Sequence, residues 1–323
     1  KYRHFSVNFN KEVVSLVNYI IKRIFAGLLT MFVLVTISFF LMRSIPGGPF
    51  NNPEDKNIPQ SIIEMTNERY GLNAPLHVQY VRYLKTLVKG DLGYSFILQD
   101  TKVNDIIIRG FPATAKVGML AVLISVIMGT AVGVVSAIYR GKLLDWIVML
   151  FVTLGISIPS FISAVLLLYV FSGWLDLLPS FGLSDWKSFI LPVAGLALSP
   201  IATIARLTRS SMLEVIRQDY IRTARAKGVT EFFVIMKHGL KNAILPVITY
   251  LGPLIAALLT GSFVIERLFS IPGIGREYVV SVSDRDYAVL LGMTIFFGGL
   301  IIISNIFVDI IYAAIDPRIK IDK

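Results

Sequence analysis

Residues 117–139, VGMLAVLISVIMGTAVGVVSAIY, contain no Asp, Glu, Lys or Arg over 23 positions. A helix of about 20 mostly apolar residues spans the hydrocarbon core of a bilayer, so this stretch reads as a transmembrane helix. Within it Gly129 and Gly133 form a G-x-x-x-G pair, the spacing that lets a second helix approach the backbone closely. Five further stretches qualify or nearly so: Ile24–Met42, Trp146–Phe171, Phe189–Ala205, Ala243–Ile265 and Tyr287–Tyr312. The whole chain agrees with them. It has 323 residues, 55% hydrophobic and 16% charged, with a mean hydropathy of +0.71, against roughly 45–50% apolar and about 25% charged for soluble domains. The expected fold class is an all-α integral membrane domain of six transmembrane helices.

Charge distribution orients the helices. Segments 1–23, 140–145, 206–242 and 313–323 together carry +11, whereas 43–116, 172–188 and 266–286 sum to zero. The positive-inside rule therefore places both termini and the 206–242 loop in the cytoplasm. The net charge of +10 is accounted for as topology, and nucleic-acid binding is not required. The first span follows Lys22 and Arg23 as a signal peptide would, but its apolar run is long and Arg43-Ser44-Ile45-Pro46 is a poor cleavage site, so it reads as a retained helix.

Several chemistries are excluded. Cysteine is absent, and the three histidines, His4, His77 and His238, are far apart, so neither thiolate chemistry nor a histidine metal cluster is expected. There is no G-x-x-x-x-G-K-[ST] phosphate loop and no G-x-S-x-G nucleophile elbow, which argues against an ATP site of that kind and against an esterase-like enzyme. Charged residues are missing from the middle of every expected span. A secondary transporter built on buried ion ligands is thereby disfavoured.

The polar remainder has two patterned parts. Residues 43–112 are too long for a connector: Pro46-Gly47-Gly48-Pro49 breaks the chain, a helix is expected after Pro59 through Ser61-Ile62-Ile63-Glu64, and a second after Asn73 with Leu76, Tyr80, Leu84 and Leu87 on one face and Gly90 at its end. This reads as a folded extracytoplasmic cap. The cytoplasmic stretch has a polar helix, Asp219-Tyr220-Ile221-Arg222-Thr223-Ala224-Arg225-Ala226-Lys227, then Gly228 where a C-cap is wanted, then an amphipathic segment with Phe232 and Phe233. Small residues, basic neighbours and a glycine turn suit a docking element; a helix lying on the membrane surface is the alternative. In the third span Ser157-Ile158-Pro159-Ser160 frees a backbone carbonyl, and Ser157, Pro159 and Ser160 either line a pathway or form a packed kink.

Three regions resemble the B-type permease subunit of oligopeptide and dipeptide ABC importers, a branch that includes nickel-uptake permeases. They are Tyr70-Gly71-Leu72-Asn73-Ala74-Pro75-Leu76 with Gly90-Asp91-Leu92-Gly93-Tyr94-Ser95-Phe96, then Asp219 to Gly228 running on to His238-Gly239-Leu240-Lys241-Asn242-Ala243-Ile244-Leu245-Pro246, and Phe269-Ser270-Ile271-Pro272-Gly273-Ile274-Gly275-Arg276. The general importer signature is Glu-Ala-Ala, three residues, Gly, nine residues, Ile-x-Leu-Pro. Laid on Gly228, it matches at Ala224, Gly228 and Leu240, and it puts Arg222 and Thr223 on the rest of the triplet and His238 and Lys241 on the tail. Arg222 in place of Glu shifts the expected acidic contact to Asp219.

The resemblance implies the type I ABC importer permease fold. Residues 1–23 would form a cytoplasmic segment, 24–42 the first helix, 43–112 the cap, 113–315 the permease core with 206–242 as coupling loop, and 316–323 a cytoplasmic tail. It implies a bacterial cell-membrane subunit with no cofactor of its own, ATP and magnesium being bound by two partner ATPase subunits, together with a second, C-type permease and an extracytoplasmic peptide-binding protein. Coupling would fall on Asp219, Tyr220, Arg222, Thr223, Ala224, Arg225, Ala226, Lys227, Gly228, His238, Leu240 and Lys241. Docking of the binding protein would fall on Tyr94, Ser95, Phe96, Pro272, Gly273 and Gly275. The expected cargo is a peptide, with nickel or a metallophore as the alternative.

Overall fold

The computed structural model describes residues 2–44, 68, 71–98 and 100–315, with side chains described between 21 and 311. The Pro46-Gly47-Gly48-Pro49 break, the expected cap helix at 61–64 and the 316–323 tail lie outside these. The described residues are almost entirely helical. Four helices are long and apolar enough to cross a membrane unbroken, and two bent pairs bring the number to six if each pair is one span.

α1 (Tyr2–Ser44) contains the first span, Ile21–Ser44. α2 (Leu76–Val88) is the expected second cap helix, with Pro75 at its N-cap and Gly90 at φ +75° just past its end. α3 (Val103–Ile138) starts fourteen residues before the expected boundary at 117. Its first turns belong to the region assigned to the cap, because Val103, Ile106 and Ile107 are buried against Val289 and Met293 of the last helix.

The third span is a broken one. α4 (Leu143–Ser157) and α5 (Ser160–Trp174, its last six residues π-helical) meet at 106°. Pro159 has no N–H and holds the residue before it out of the helical region; Ile158 accordingly lies at φ −87°, ψ 122°. Both halves still pack on α6 (Ile190–Val215): a Cβ at Gly155 would touch Ala202, and one at Gly195 would strike Ala164. α6 extends ten residues beyond the expected end at 205, so residues 206–215 continue the membrane helix and the polar segment proper begins at 216.

α7 (Asp219–Ala226) is followed by α8 (Glu231–Ala243, with π-helical turns through 234–240), which bends by 53° into α9 (Leu245–Leu259). The fifth span closes at 259 rather than 265, because Gly261 at φ +83° turns the chain and Ser262 caps a separate helix, α10 (Phe263–Leu268). α11 (Ile274–Ser283) and α12 (Tyr287–Ile315) complete the described residues.

The centre of the bundle is the α3–α6 pair, with α9 against both. With lipid outside, helices associate through close van der Waals packing rather than exclusion from water, and the G-x-x-x-G pair supplies the approach. A Cβ at Gly129 would lie 2.8 Å from the Ile201 carbonyl oxygen, and one at Gly133 2.6 Å from that of Ala205. α1 stands at the periphery, packed on α12 and α2 through Val35, Phe39, Leu291 and Ile295.

Candidate functional site

The two ends of the bundle carry different chemistry. At one end α3 terminates, α4 begins and α6 terminates, and a buried ion pair joins them. Arg209 reaches Asp145 through two 2.8 Å hydrogen bonds, and Asp145 also accepts from Ser136 Oγ at 2.5 Å and from the Gly141 N–H at 3.0 Å. At the same end Arg23 of α1 binds Asp309 of α12 at 2.6 Å. Both side chains of this pair stay partly exposed.

Beyond the Asp145–Arg209 clasp sits α7, held by its inner face. Ile221 and Ala224 are buried against Val234, with Val215 and Val229 around them. The helix closes in a Schellman motif: the Val229 N–H donates to the Ala224 carbonyl and the Gly228 N–H to that of Arg225, with Gly228 at φ +74°. Arg225 then ties the turn to α8 through Glu231 at 2.6 and 3.0 Å, and Asn242 donates to the Tyr220 hydroxyl at 2.8 Å. The Glu231 carboxylate raises the Arg225 guanidinium pKa above its ordinary value. Arg222 lies 3.6 Å from Asp219, one turn earlier and on the same exposed face.

Asp219, Tyr220, Arg222, Thr223, Arg225, Ala226, Lys227 and Gly228 therefore form an exposed surface, flanked by exposed Lys241 and half-buried His238. Two of the expected coupling residues sit elsewhere. Ala224 is 8% exposed and Leu240 packs against the Met212 cluster. Both are matched to the signature by residue type, yet they hold α7 and α8 in place from inside.

At the opposite end two buried carboxylates organise the loops. Glu266, 4% exposed, accepts the Thr114 hydroxyl of α3 at 2.8 Å and the Arg276 N–H of α11 at 2.8 Å, while Thr114 Oγ accepts the Ile274 N–H at 3.0 Å. One side chain thus fastens α10, the N-terminus of α11 and α3 together, and a carboxylate is favoured at that terminus by the unsatisfied N–H groups. This explains three glycines. A Cβ at Gly261 or Gly273 would collide with the Glu266 carboxyl group, and one at Gly275 would lie 3.1 Å from Oε2. Burial pushes the Glu266 carboxyl above the ordinary carboxylate range, and the N–H and hydroxyl donors oppose this incompletely.

Asp286 caps α12 through the Val289 N–H at 3.2 Å and reaches across to the 95–97 loop, accepting the Ser95 hydroxyl and the Phe96 N–H at 3.1 Å. Among the expected docking residues, Tyr94 and Pro272 are exposed and Phe96 is half-buried. Ser95, Gly273 and Gly275 are buried, which corrects their expected role: they shape the surface without forming it. Ser157 and Pro159 are exposed and Ser160 half-buried at the α4–α5 break.

Residues 129–321 match the binding-protein-dependent transport system inner membrane component family, and residues 16–118 match its N-terminal companion. The chain belongs to this family. Among its relatives, the dipeptide transport system permease protein DppB of Bacillus subtilis is 47% identical over 308 residues, covering 94% of this chain and 98% of the relative. The oligopeptide transport system permease protein OppB of Salmonella typhimurium is 43% identical over 307 residues, covering 94% and 100%. Two solved structures share the fold. One, an amino acid ABC transporter, aligns with a TM-score of 0.52 at 17% identity over 65% of this chain and 94% of its own. The other, the inward-facing MetNI methionine ABC transporter, gives 0.53 at 19% over 65% and 96%.

The fold is therefore that of the type I ABC importer permease, and this member of the binding-protein-dependent transport family is a multi-pass, non-catalytic membrane component of an ABC transporter complex. Sequence reading passed over Glu266, Asp286 and the Asp145–Arg209 pair. Their one available signal was position: each acid lies within a few residues of a span end, where it reads as an ordinary interfacial charge.

Proposed function

We propose that this chain forms half of the pore of an ATP-driven importer for dipeptides or oligopeptides in the bacterial cell membrane. The observation that carries the cargo class is that relatives named for dipeptide and oligopeptide transport align at 43–47% identity with 94% of the chain, which favours peptides over the nickel or metallophore alternative. The subunit works with a second, C-type permease, with two ATPase subunits that bind ATP and magnesium, and with an extracytoplasmic binding protein that delivers the peptide. Both termini lie in the cytoplasm, in keeping with the +11 of their side of the membrane.

In this reading the exposed face of α7 is the element on which an ATPase subunit presses. Asp219, Tyr220, Arg222, Thr223, Arg225, Ala226, Lys227 and Gly228 make the contact, His238 and Lys241 border it, and Ala224 and Leu240 transmit displacement to α6 and α3 through the packing beneath. Coupling requires that both ATP and cargo bias one two-state arrangement. A short helix joined to the bundle by a glycine turn, one ion pair, one side-chain hydrogen bond and a small apolar cluster moves as a unit. At the other end Tyr94, Phe96 and Pro272 meet the binding protein, on loops braced by Asp286 and Glu266. Ser157, Pro159 and Ser160 face the translocation pathway at the break in the third span.

The test is peptide uptake by proteoliposomes containing the whole complex, loaded with ATP and supplied with binding protein. Uptake of labelled peptide that needs ATP and survives an ionophore is expected. Uptake that collapses with the ionophore while ATP is intact, or transport of nickel without peptide, would overturn the proposal.

A further inference from the structure

A cavity of about 280 Å³ lies between the outer end of α1, α2, the 92–96 loop and the start of α12. Its walls contain polar groups that find no partner among the described residues. Tyr287 is only 5% exposed and lines the cavity, and among the described residues neither its hydroxyl nor the buried Tyr83 hydroxyl has a partner. Gln79 spends its amide N–H groups on the Leu72 and Ala74 carbonyls at 2.8 and 2.7 Å, and its buried Oε1 has no donor among the described residues. Arg43 and Arg82 line the same space, and neither forms an ion pair among the described residues. Phe39 completes the wall, stacked on Tyr83 at 5.8 Å with the Arg43 guanidinium 5.6 Å from its ring centre.

Buried polar groups without partners cost stability, so this set fits a ligand with an anionic group for the guanidinium and phenol donors and a hydroxyl for Gln79 Oε1. Its depth selects the source. Arg43 occupies the last turn of α1, at the end of the span Ile21–Ser44, where the helix leaves hydrocarbon for headgroups. α1 is peripheral, and Ile37, Phe40 and Leu41 are exposed beside the mouth. We infer that the cavity binds the headgroup of an anionic phospholipid from the outer leaflet, its phosphodiester between Arg43 and Arg82, its headgroup hydroxyl toward Gln79, and its acyl chains along α1. Such a lipid would fix the cap to the first span without entering the translocation path. The assignment is independent of the cargo.

The test is native mass spectrometry of the intact transporter complex, released from nanodiscs containing phosphatidylglycerol and phosphatidylcholine in equal amounts. Wild type should retain phosphatidylglycerol in preference to phosphatidylcholine. Arg43→Gln should weaken that retention about tenfold, as loss of a charge-assisted contact does. Tyr287→Phe, which removes one oxygen and leaves the packing intact, should weaken it severalfold even if the Arg43 variant fails to assemble. Arg140→Gln, an exposed position at the opposite end, should leave the lipid preference unchanged. Equal retention of the two lipids, or retention indifferent to Tyr287→Phe, would overturn the inference and leave a hydrated cavity. Displacement of the bound lipid by millimolar glycerol 3-phosphate would likewise overturn it, by showing that a free anion suffices.

Discussion

Replacing Gly228 by valine tests the coupling assignment most directly. The residue sits at φ +74°, and a Cβ built on it meets nothing within 4 Å, so the substitution is spatially free and its cost is conformational alone. An L-residue in the left-handed region costs roughly 1–2 kcal/mol, and a β-branched side chain lies at the upper end. At about 2 kcal/mol the Schellman-capped turn loses roughly a factor of 30 in population relative to alternatives in which the Gly228 and Val229 N–H bonds are broken. Little else holds the turn: the Ile221–Ala224–Val234 cluster, the Arg225–Glu231 pair and the Asn242–Tyr220 hydrogen bond are the remaining ties. Asparagine tolerates the same backbone with a much smaller penalty.

The assay is ATPase activity of the complex in nanodiscs, with and without loaded binding protein, beside peptide uptake in proteoliposomes. Gly228→Val should assemble in the membrane but lose most of the stimulation and most of the uptake; Gly228→Asn should keep the greater part of both. Because the site lies outside the span α6, the melting temperature of the membrane domain should move little. If Val and Asn behave alike and both couple normally, the left-handed turn does not set the position of α7 and the assignment falls. If both lose coupling equally, contact at the glycine itself, and not backbone geometry, is what matters.

Other substitutions separate the remaining elements. Glu266→Ala strands the Arg276 N–H and the Thr114 hydroxyl in a buried site and should lower stability by about 1–3 kcal/mol, measured as a drop in the melting temperature of the detergent-solubilised complex. The folded state holds the Glu266 proton more tightly than the unfolded chain. Its contribution to stability therefore falls as pH rises from the ordinary carboxyl range toward the raised value, and Glu266→Gln should flatten that slope. Arg209→Met leaves Asp145 as a buried unpaired carboxylate, at a cost of about 3–5 kcal/mol; the double change with Asp145→Leu should recover much of it, and thermal melts that show no recovery would refute an ion-pair origin. Gly133→Leu forces side-chain atoms into the Ala205 carbonyl and Thr208, so the α3–α6 pair should separate and the protein should be recovered in aggregates on size-exclusion chromatography.

Much of the bundle is legible because lipid imposes one demand on everything it touches. Residues 117–139 and 287–312 must be apolar helix whatever they pack against, and the charge asymmetry of the loops can be counted without any tertiary contact. The G-x-x-x-G pair was equally readable, since close approach of two backbones needs missing side chains at that spacing. Helix ends were less so. Residues 103–112 looked like cap and residues 206–215 looked like loop because polarity marks where a chain leaves hydrocarbon, whereas helices continue as long as their hydrogen bonds are satisfied.

What the sequence by itself determined is the class of solvent, the charge asymmetry of the loops and the glycine turn after α7. The tertiary structure alone decided which polar residues face outward. Ala224 and Leu240 fit a signature but point inward, Ser95, Gly273 and Gly275 lie beneath the surface they were expected to form, and Glu266, Asp286 and Asp145 turn from interfacial charges into buried clasps. The reason is range. Burial in lipid follows from composition within one helix, but a carboxylate finds Thr114 across 152 positions or Ser95 across 191 only when the helices have packed.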